Sequence, residues 1–475
     1  MDNAEVISRL REIASVLDSA DGAALETFLV DGRNNHGEAL CIVSPNDLSE
    51  LKAVVKFCVD NDIKIVPQGA RTGLVGASVP LGDDARNCVI VSMEKYRMPI
   101  VYNNVDGRVL VSAGMHLEEV NEFLQPHGVK VAIDISVDPS FGGMAATNVG
   151  GSSVVRYGNF RDMTTGVEVV LADSETSLYS TINRPVKDNS KLDFTGTFIG
   201  SGGALGVISR VELKTFPLIG NSHCFWIKLD KDRDISDLLI KIKSHFGEKL
   251  LSCEFVSHEA LEAIAISEEQ QQSNVSLPFG DDTSVDSIFV EFESGEQDFD
   301  IDEQAQSLVM EFLEAVGIDD VVFVDTKNTW DIRHRMSDAV RVSGQKLIGC
   351  DISTTANNVF LLRTRIREKL DALYPDLTVA DFGHLGDGGL HMNVVVPFGT
   401  EFDEGQVLDV RKAISDEVME IGGSISAEHG RGLTNRPVLQ QYFDPVGENL
   451  FASLKDAVDP FNILGHNGTA PFIER

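Results

Sequence analysis

The sequence predicts an α+β fold in two parts, the second built on a mainly antiparallel sheet. Three observations predict it. A β-α-β pattern opens the ordered chain near residue 40, and three glycine-rich runs follow it before Pro217. After Pro217 the glycines thin out. Strand-like "CFWIKL" and "SIFVEFES" then alternate with helical "ISDLLIKIKSHF" and "DIDEQAQSLVMEFLEAVG", a pattern that suits helices laid on an antiparallel sheet. At 475 residues the chain has room for two or three domains, each with a sizeable core.

Composition narrows the class. Hydrophobic residues make up 43% and charged residues 24%, the balance of a globular protein. The formal net charge is −34, so nucleic acid and anionic membranes are disfavoured partners, and an anionic substrate needs a local positive site. No apolar run approaches a membrane span. The start, "MDNAEVISRLREIASVL", lacks a basic end and apolar centre, and early Asp2 and Glu5 disfavour a transit peptide. Val6, Leu10, Ile13 and Leu17 suit one face of a surface helix. Cys41, Cys58, Cys88, Cys224, Cys253 and Cys350 are scattered without a C-x-x-C pair, as expected of buried free thiols in a reducing cytoplasm.

"LCIV", residues 40–43, reads as a buried strand. Ser44 or Asn46 is the expected cap of the helix that follows, with Leu48, Leu51, Val54, Val55 and Cys58 on one face. "IKIVP" is a second strand, and it runs into "PQGARTGLVGASVP". Gly69, Gly73 and Gly76 there permit a loop whose N–H groups converge on an anion. No Lys-Ser/Thr follows the glycines, so this is not a Walker loop. "CVIVSM" and "RVLVSAGM" alternate as strands, and "HLEEVNEFLQPHG" reads as a helix ending near Pro126. In the second run, Gly142, Gly143, Gly150 and Gly151 let the chain pass close to a flat or phosphorylated ligand, with Asn148, Ser152 and Ser153 as polar neighbours. The third run is a near miss for a dinucleotide fingerprint, because Leu205 stands where a glycine is needed after Gly200 and Gly202. A nicotinamide site is therefore excluded there.

In the second part, residues 267–286 read as a polar loop. "VADFGHLGDGGLHMNVVVP" is a strand, a turn and a strand, and Val407, Val410, Ile414 and Val418 mark the inner face of a late helix. His384 and His391 bracket the Gly-Asp-Gly turn, while Glu428 and His429 stand side by side in "SAEHGRG". Two imidazoles and a carboxylate make a divalent-metal site with open positions, and the second histidine of the pair is left to act as a base. The competing reading is a structural turn leading into a buried strand. His334 reads as a solvated helix residue.

Four segments taken together, "PQGARTGLVGASVP", "DPSFGGMAATNVGGSSVVRYGNFRDM", "GHLGDGGLHMNV" and "GSISAEHGRG", resemble one family: FAD-linked D-2-hydroxy acid dehydrogenases of the vanillyl-alcohol-oxidase (PCMH) type. D-2-hydroxyglutarate, D-lactate and glycolate dehydrogenases are its nearest groups. The resemblance runs from about Asp31 to the C-terminus; an N-terminal helix over 1–34 precedes a two-part FAD-binding domain that the resemblance implies over 35–218. A substrate-cap domain over 219–420 and a C-terminal segment over 421–475 complete it. For FAD it implies Pro67, Gln68, Gly69, Ala70, Thr72, Gly73, Leu74, Gly76 and Ser78 at the pyrophosphate. Asp138, Pro139, Ser140, Gly142, Gly143, Ala146 and Asn148 would line the flavin. Gly150, Gly151, Tyr157, Gly158, Asn159 and Arg161 would line the rest of the cofactor, with Gly206 and Ile208 on the adenine side. The flavin loops contain no histidine, so FAD is expected to be non-covalent.

The same resemblance implies His384, His391 and Glu428 as ligands of a divalent metal, Zn²⁺ by family habit, and His429 as the general base. Arg333 and Asn393 would contact the substrate carboxylate, and Ser337 and Arg431, which depart from the family, are further candidate substrate contacts. The implied reaction oxidises a small-molecule 2-hydroxy acid and passes electrons to a separate acceptor: an electron-transfer flavoprotein, a quinone or a cytochrome. A homodimer fits the family. An O₂-using alcohol oxidase and a flavin-binding electron-transfer subunit are the alternatives. Several positions depart from the family: Arg431 replaces an isoleucine, Gly349 a lysine, Ser337 a threonine and Gly389 an asparagine. The C-terminal end is "LGHNG", where His466 either touches flavin or caps a turn. Arg431 either reads the distal end of the substrate or pairs with a carboxylate.

Overall fold

The computed structural model describes residues 1–473 apart from 83–84, 219, 230–234, 272–275, 281, 294–300 and 319–320. The chain forms two compact units. Unit 1 comprises residues 1–150, 158–218 and 428–475; unit 2 comprises 151–157 and 219–427.

Unit 1 begins with helix α1 (Asn3–Ile13) and strand β1 (Ser15–Leu17). The helix stops four residues sooner than its apolar pattern suggests. Leu17 sits in β1, which pairs antiparallel with β2 (Cys41–Ser44). Helix α2 (Leu48–Asp60) follows. Its cap is Asp47, whose side chain accepts from the Glu50 amide, rather than Ser44 or Asn46. Strands β3 (Lys64–Gln68) and β4 (Cys88–Ser92) complete a four-stranded sheet in the order β1-β2-β4-β3, with β2 and β3 both parallel to β4. Val6, Leu10, Leu51, Val54, Val55 and Cys58 close over this sheet as the first core.

A second sheet in unit 1 is antiparallel: β5 (Val101–Asn103), β6 (Arg108–Ser112), β9 (Val207–Lys214), β7 (Thr164–Val170) and β8 (Leu178–Ser180), in that order. Helices α3 (Leu117–Leu124) and α4 (Phe141–Thr147) belong to the same unit. The C-terminal segment returns to unit 1 through α11 (Pro445–Val458), and the Ile65 amide donates to the Ile463 carbonyl at 2.9 Å.

Unit 2 is organised on one eight-stranded antiparallel sheet. In chain order its strands are β10 (Ser222–Lys228), β11 (Leu250–Val256), β12 (Ser287–Glu293), β13 (Val321–Val324), β14 (Lys346–Ser353), β15 (Thr378–Val379), β16 (Phe382–Gly383) and β17 (Gly389–Val396). They run β13-β10-β12-β11-β16-β17-β14, and β15 joins β17. Side chains alternate across such a sheet. One face carries Phe225, Phe255, Ile288, Val290, Met392 and Val394 into the main core. Helices α5 (Ile235–Phe246), α7 (Ile301–Val316), α9 (Val359–Leu373) and α10 (Glu404–Glu420) contribute to that core. Val410, Ile414 and Val418 of α10 are fully buried, while Val407 is only half-buried.

The other face carries Trp226, Phe289, Val256 and Val395 against α6 (His258–Gln271) and α8 (Thr326–Val342). Helix α6 runs through Gln271, so the first five residues of the stretch read as a polar loop are helical. Residues 272–275 and 281 of that stretch lie outside the described residues. All six cysteines are free and five are buried; burial pushes the Cys41 thiol up to about 12. Among the described residues no helix is long and apolar enough to cross a membrane.

Candidate active site

In unit 1 the glycine-rich runs converge. Strand β3 delivers Gln68 to the start of the 67–78 loop, where Nε2 donates to the Phe28 and Ser78 carbonyls at 2.9 and 2.6 Å. A Cβ on Gly69 would lie 2.1 Å from Ser140 Oγ, so only glycine lets these two segments touch. Ser140 Oγ also accepts from the Ala70 amide at 3.2 Å and caps α4. The Pro139 carbonyl accepts from the Leu117 amide, and Gly142 lies against Ala113. Helix α4 ends at Asn148 in the left-handed region, with φ of 54°; its Oδ1 accepts from the Arg161 amide. Arg161 in turn donates to the Ile199 carbonyl, and the Gly200 and Gly202 amides donate to Ala145 and Ala146. Gly206 lies against Val169 at the head of β9, where Ile208 is buried.

The C-terminal segment closes on the same loop. A Cβ on Gly432 would lie 2.2 Å from the Val75 carbonyl, and Asn467 donates to the Ala77 carbonyl. His429 therefore stands three residues before a chain segment pressed against the 67–78 loop. Gln68 Oε1, Ser78 Oγ and Arg431 Nη1 are buried without a hydrogen-bond partner among the described residues. Buried polar atoms without a protein partner, beside close-packed glycine backbone, fit a polar cofactor.

Some expected lining residues are otherwise engaged. The Asp138 carboxylate holds His116 Nδ1 at 3.0 Å and accepts from the Glu118 amide, so it caps α3. Asn159 caps the short turn after Gly158. Gly151 and Tyr157 belong to unit 2. His466 bonds the Asn462 carbonyl through Nε2 and so caps its own turn; burial lowers its pKa. Arg431, read either as a contact to the distal end of the substrate or as the partner of a carboxylate, pairs with Glu448, which is only 3% exposed. Its guanidinium also lies 4.4 Å from the Phe472 ring centroid and 5.3 Å from that of Phe451. A carboxylate buried on α11 needs a countercharge, and Arg431 supplies it.

In unit 2 the polar side chains collect on the face of the sheet opposite the main core. In β17 Leu390, Met392, Val394 and Val396 enter that core, so His391 and Asn393 point the other way. Across the ladder, Asp351 pairs with His391 and Gly349 with Asn393. His384 precedes the turn, and its ring meets the His391 ring edge-on at 5.4 Å. The turn itself requires glycine: Gly388 has φ of 97°, and a Cβ there would sit 1.9 Å from the Thr354 carbonyl. The Asp387 carboxylate accepts from the Gly389 amide and is raised in pKa by burial.

Helix α8 presents Arg333, buried over the Phe382 ring at 4.7 Å. Ser337 and His334 of the same helix are exposed, and His334 stacks on Trp330. The residue that sequence reasoning missed is Glu254 on β11, fully buried. One carboxylate oxygen takes His384 Nδ1 at 2.5 Å and the other takes Arg333 Nε at 2.8 Å. Burial pushes its pKa up, but the His384 and Arg333 charges outweigh this and hold it at about 2. The available signal was a lone glutamate inside the apolar run "LLSCEFV", since a buried charge must be paired.

The FAD-linked oxidase C-terminal domain matches residues 226–466, just over half of the chain, and an FAD-binding domain matches residues 39–177. The chain belongs to the FAD-linked oxidases. This FAD-linked oxidase is 30% identical over 436 residues to a D-2-hydroxyglutarate dehydrogenase of Xanthomonas citri pv. viticola, covering 90% of the chain and 88% of that protein. It is 27% identical to the mitochondrial D-2-hydroxyglutarate dehydrogenase of Arabidopsis thaliana, covering 94% and 77% of the two chains. Its fold is that of p-cresol methylhydroxylase, with a TM-score of 0.69 at 15% identity over 99% of this chain and 98% of that one. These matches support FAD as the cofactor, and they bear out the α+β, vanillyl-alcohol-oxidase-type fold.

Two outcomes are expected. Acid precipitation of the yellow protein should release all flavin into the supernatant; flavin that stays with the pellet would contradict non-covalent binding. Arg431→Ile leaves the buried Glu448 carboxylate with the Phe472 amide but without its countercharge, so it should destabilise unit 1 by about 1–3 kcal/mol. Calorimetry should show a lowered melting temperature, with flavin reduction unchanged in the folded protein. A changed KM at unchanged stability would restore Arg431 as a substrate contact.

Proposed function

We propose that this FAD-linked oxidase is a dehydrogenase that converts a D-2-hydroxy acid to the 2-oxo acid. The observation that carries the reading is the gathering of His384, His391, Asn393 and Arg333 on one face of the unit 2 sheet. Relatives named as D-2-hydroxyglutarate dehydrogenases across nearly the whole chain support it.

His384, His391 and Glu428 are the proposed ligands of a divalent metal, with Zn²⁺ the expected ion. The donor set fits. With His384 Nδ1 held by Glu254, Nε2 is the nitrogen that can ligate, the arrangement usual for metal-binding histidines. Glu428 follows Ala427, whose amide donates to the carbonyl of Asp351, the strand partner of His391. The second His-carboxylate group, His258 with Glu259 and Asp286, fits less well. Its carboxylates are already matched by Arg367 and Arg363.

A bound divalent metal supplies Lewis acidity that lowers the pKa of the substrate hydroxyl. Bound FAD supplies the acceptor for the hydride that leaves the substrate α-carbon. The chain's own residues do the rest. Arg333 spends Nε on Glu254, and its terminal Nη pair suits a bidentate substrate carboxylate. Asn393 Nδ2 is weakly held by the His391 carbonyl at 3.3 Å and can turn to the same carboxylate. His429 removes the hydroxyl proton as general base. Electrons then leave for a separate acceptor. Gly349, opposite Asn393, offers no side chain to a distal group, so the pocket selects its acid by means other than a lysine there.

An anaerobic panel of D-2-hydroxy acids tests the reading, followed by admission of air to distinguish a dehydrogenase from an oxidase. His429→Asn should keep FAD and metal yet reduce its flavin about a hundredfold more slowly. His391→Ala should lose metal and flavin reduction together while keeping FAD. Full-rate reduction in metal-free protein, or identical behaviour of the two variants, would show the base and ligand assignments to be wrong.

A further inference from the structure

We propose that Glu254 is a positioning residue that ties the metal site to the substrate-carboxylate site and fixes the distance between them. The inference rests on the functional reading above, and it concerns a residue that touches neither substrate nor cofactor. Glu254 is 0% exposed on the central strand β11, where a carboxylate loses its hydration. An apolar residue would suit that strand at least as well if stability alone were at stake.

The two oxygens of Glu254 are divided between different partners. Oε1 takes His384 Nδ1 at 2.5 Å and a long contact from Ser252 Oγ at 3.4 Å; Oε2 takes Arg333 Nε at 2.8 Å. A carboxylate is rigid and planar, so the division fixes the imidazole and the guanidinium at opposite ends of one small plate. Asp381, another fully buried carboxylate of unit 2, binds Arg363 and Arg367 and no histidine. Such a pairing neutralises charge without orienting a ligand.

The consequence is geometric. The Nδ1 bond sets the plane and tautomer of the His384 ring and makes it a better donor at Nε2. The Nε bond leaves the terminal edge of Arg333 directed by the same plate. A 2-hydroxy acid carries its hydroxyl and carboxylate on adjacent carbons, so the two anchoring groups must hold one fixed spacing. Glu254 supplies it. Phe382 backs the arrangement, since Arg333 lies over its ring and β16 pairs directly with β11.

The test uses the holoenzyme and three readouts: FAD content, metal retention against graded chelator, and affinity for oxalate, a diacid with no C–H hydride to give to flavin, followed through the flavin absorbance. Glu254→Gln should keep its FAD and fold, require about 10–100-fold more free Zn²⁺ for half-loading, and bind oxalate at least about tenfold more weakly. Glu254→Asp keeps the charge but shortens the reach by one methylene. It should show the same two losses, and it serves if the glutamine variant does not fold. Metal and oxalate affinities within about twofold of wild type in either folded variant would overturn the proposal and leave the metal reading standing. A wild-type protein that binds no divalent metal would overturn both.

Discussion

The register of one strand pair, β14 with β17, underlies all the polar chemistry of unit 2. Eight residue pairs join the strands, from Lys346 opposite Val396 to Ser353 opposite Gly389. Apolar burial sets that register. Leu390, Met392, Val394 and Val396 are at most 2% exposed on the core face, and a slip of one residue would turn them to the other side. His391 and Asn393 have no such driving force. They reach the polar face because their neighbours are held on the opposite one, and Gly383 and Gly388 then make the turn tight enough to bring His384 alongside.

Charge is the second constraint, and it acts locally. Against a net charge of −34, several arginines of the two units answer particular buried carboxylates. Arg333 answers Glu254, Arg363 and Arg367 answer Asp381, and Arg431 answers Glu448. In each case a buried acid determines where the arginine points. The same opposition acts at Glu259, which burial pushes up but Arg367 holds below its ordinary range. Unit 1 works differently. Its cofactor loops are shaped by backbone contacts that leave no space for a Cβ, at Gly69 against Ser140 and at Gly432 against Val75.

Much of this was legible in the sequence because the signals are local. Period-two alternation marks β17, period-four spacing marks α10, and glycine runs mark the cofactor loops. The α+β class, the antiparallel second sheet and the FAD-linked family all follow from them. What escaped depends on partners far along the chain. Glu254 finds His384 across 130 residues and Arg333 across 79. The Arg431 partner lies 17 residues on, and nothing in "EHGRG" shows that Glu448 is buried. Leu17 continued the helical stripe of α1 but was drawn into a strand by pairing with Ile42. Asp47, immediately before Leu48, caps that helix in place of Ser44 or Asn46 because its carboxylate reaches the Glu50 amide.

Breaking the C2–H bond of a D-2-hydroxy acid is the step the account stands on. The most direct measurement is the single-turnover rate of anaerobic flavin bleaching by a D-2-hydroxy acid carrying hydrogen or deuterium at C2, with the L-enantiomer alongside. The account predicts slower bleaching with deuterium and an oxidised flavin with the L-acid. Equal rates for the two isotopologues, or bleaching by the L-enantiomer as fast as by the D, would contradict it.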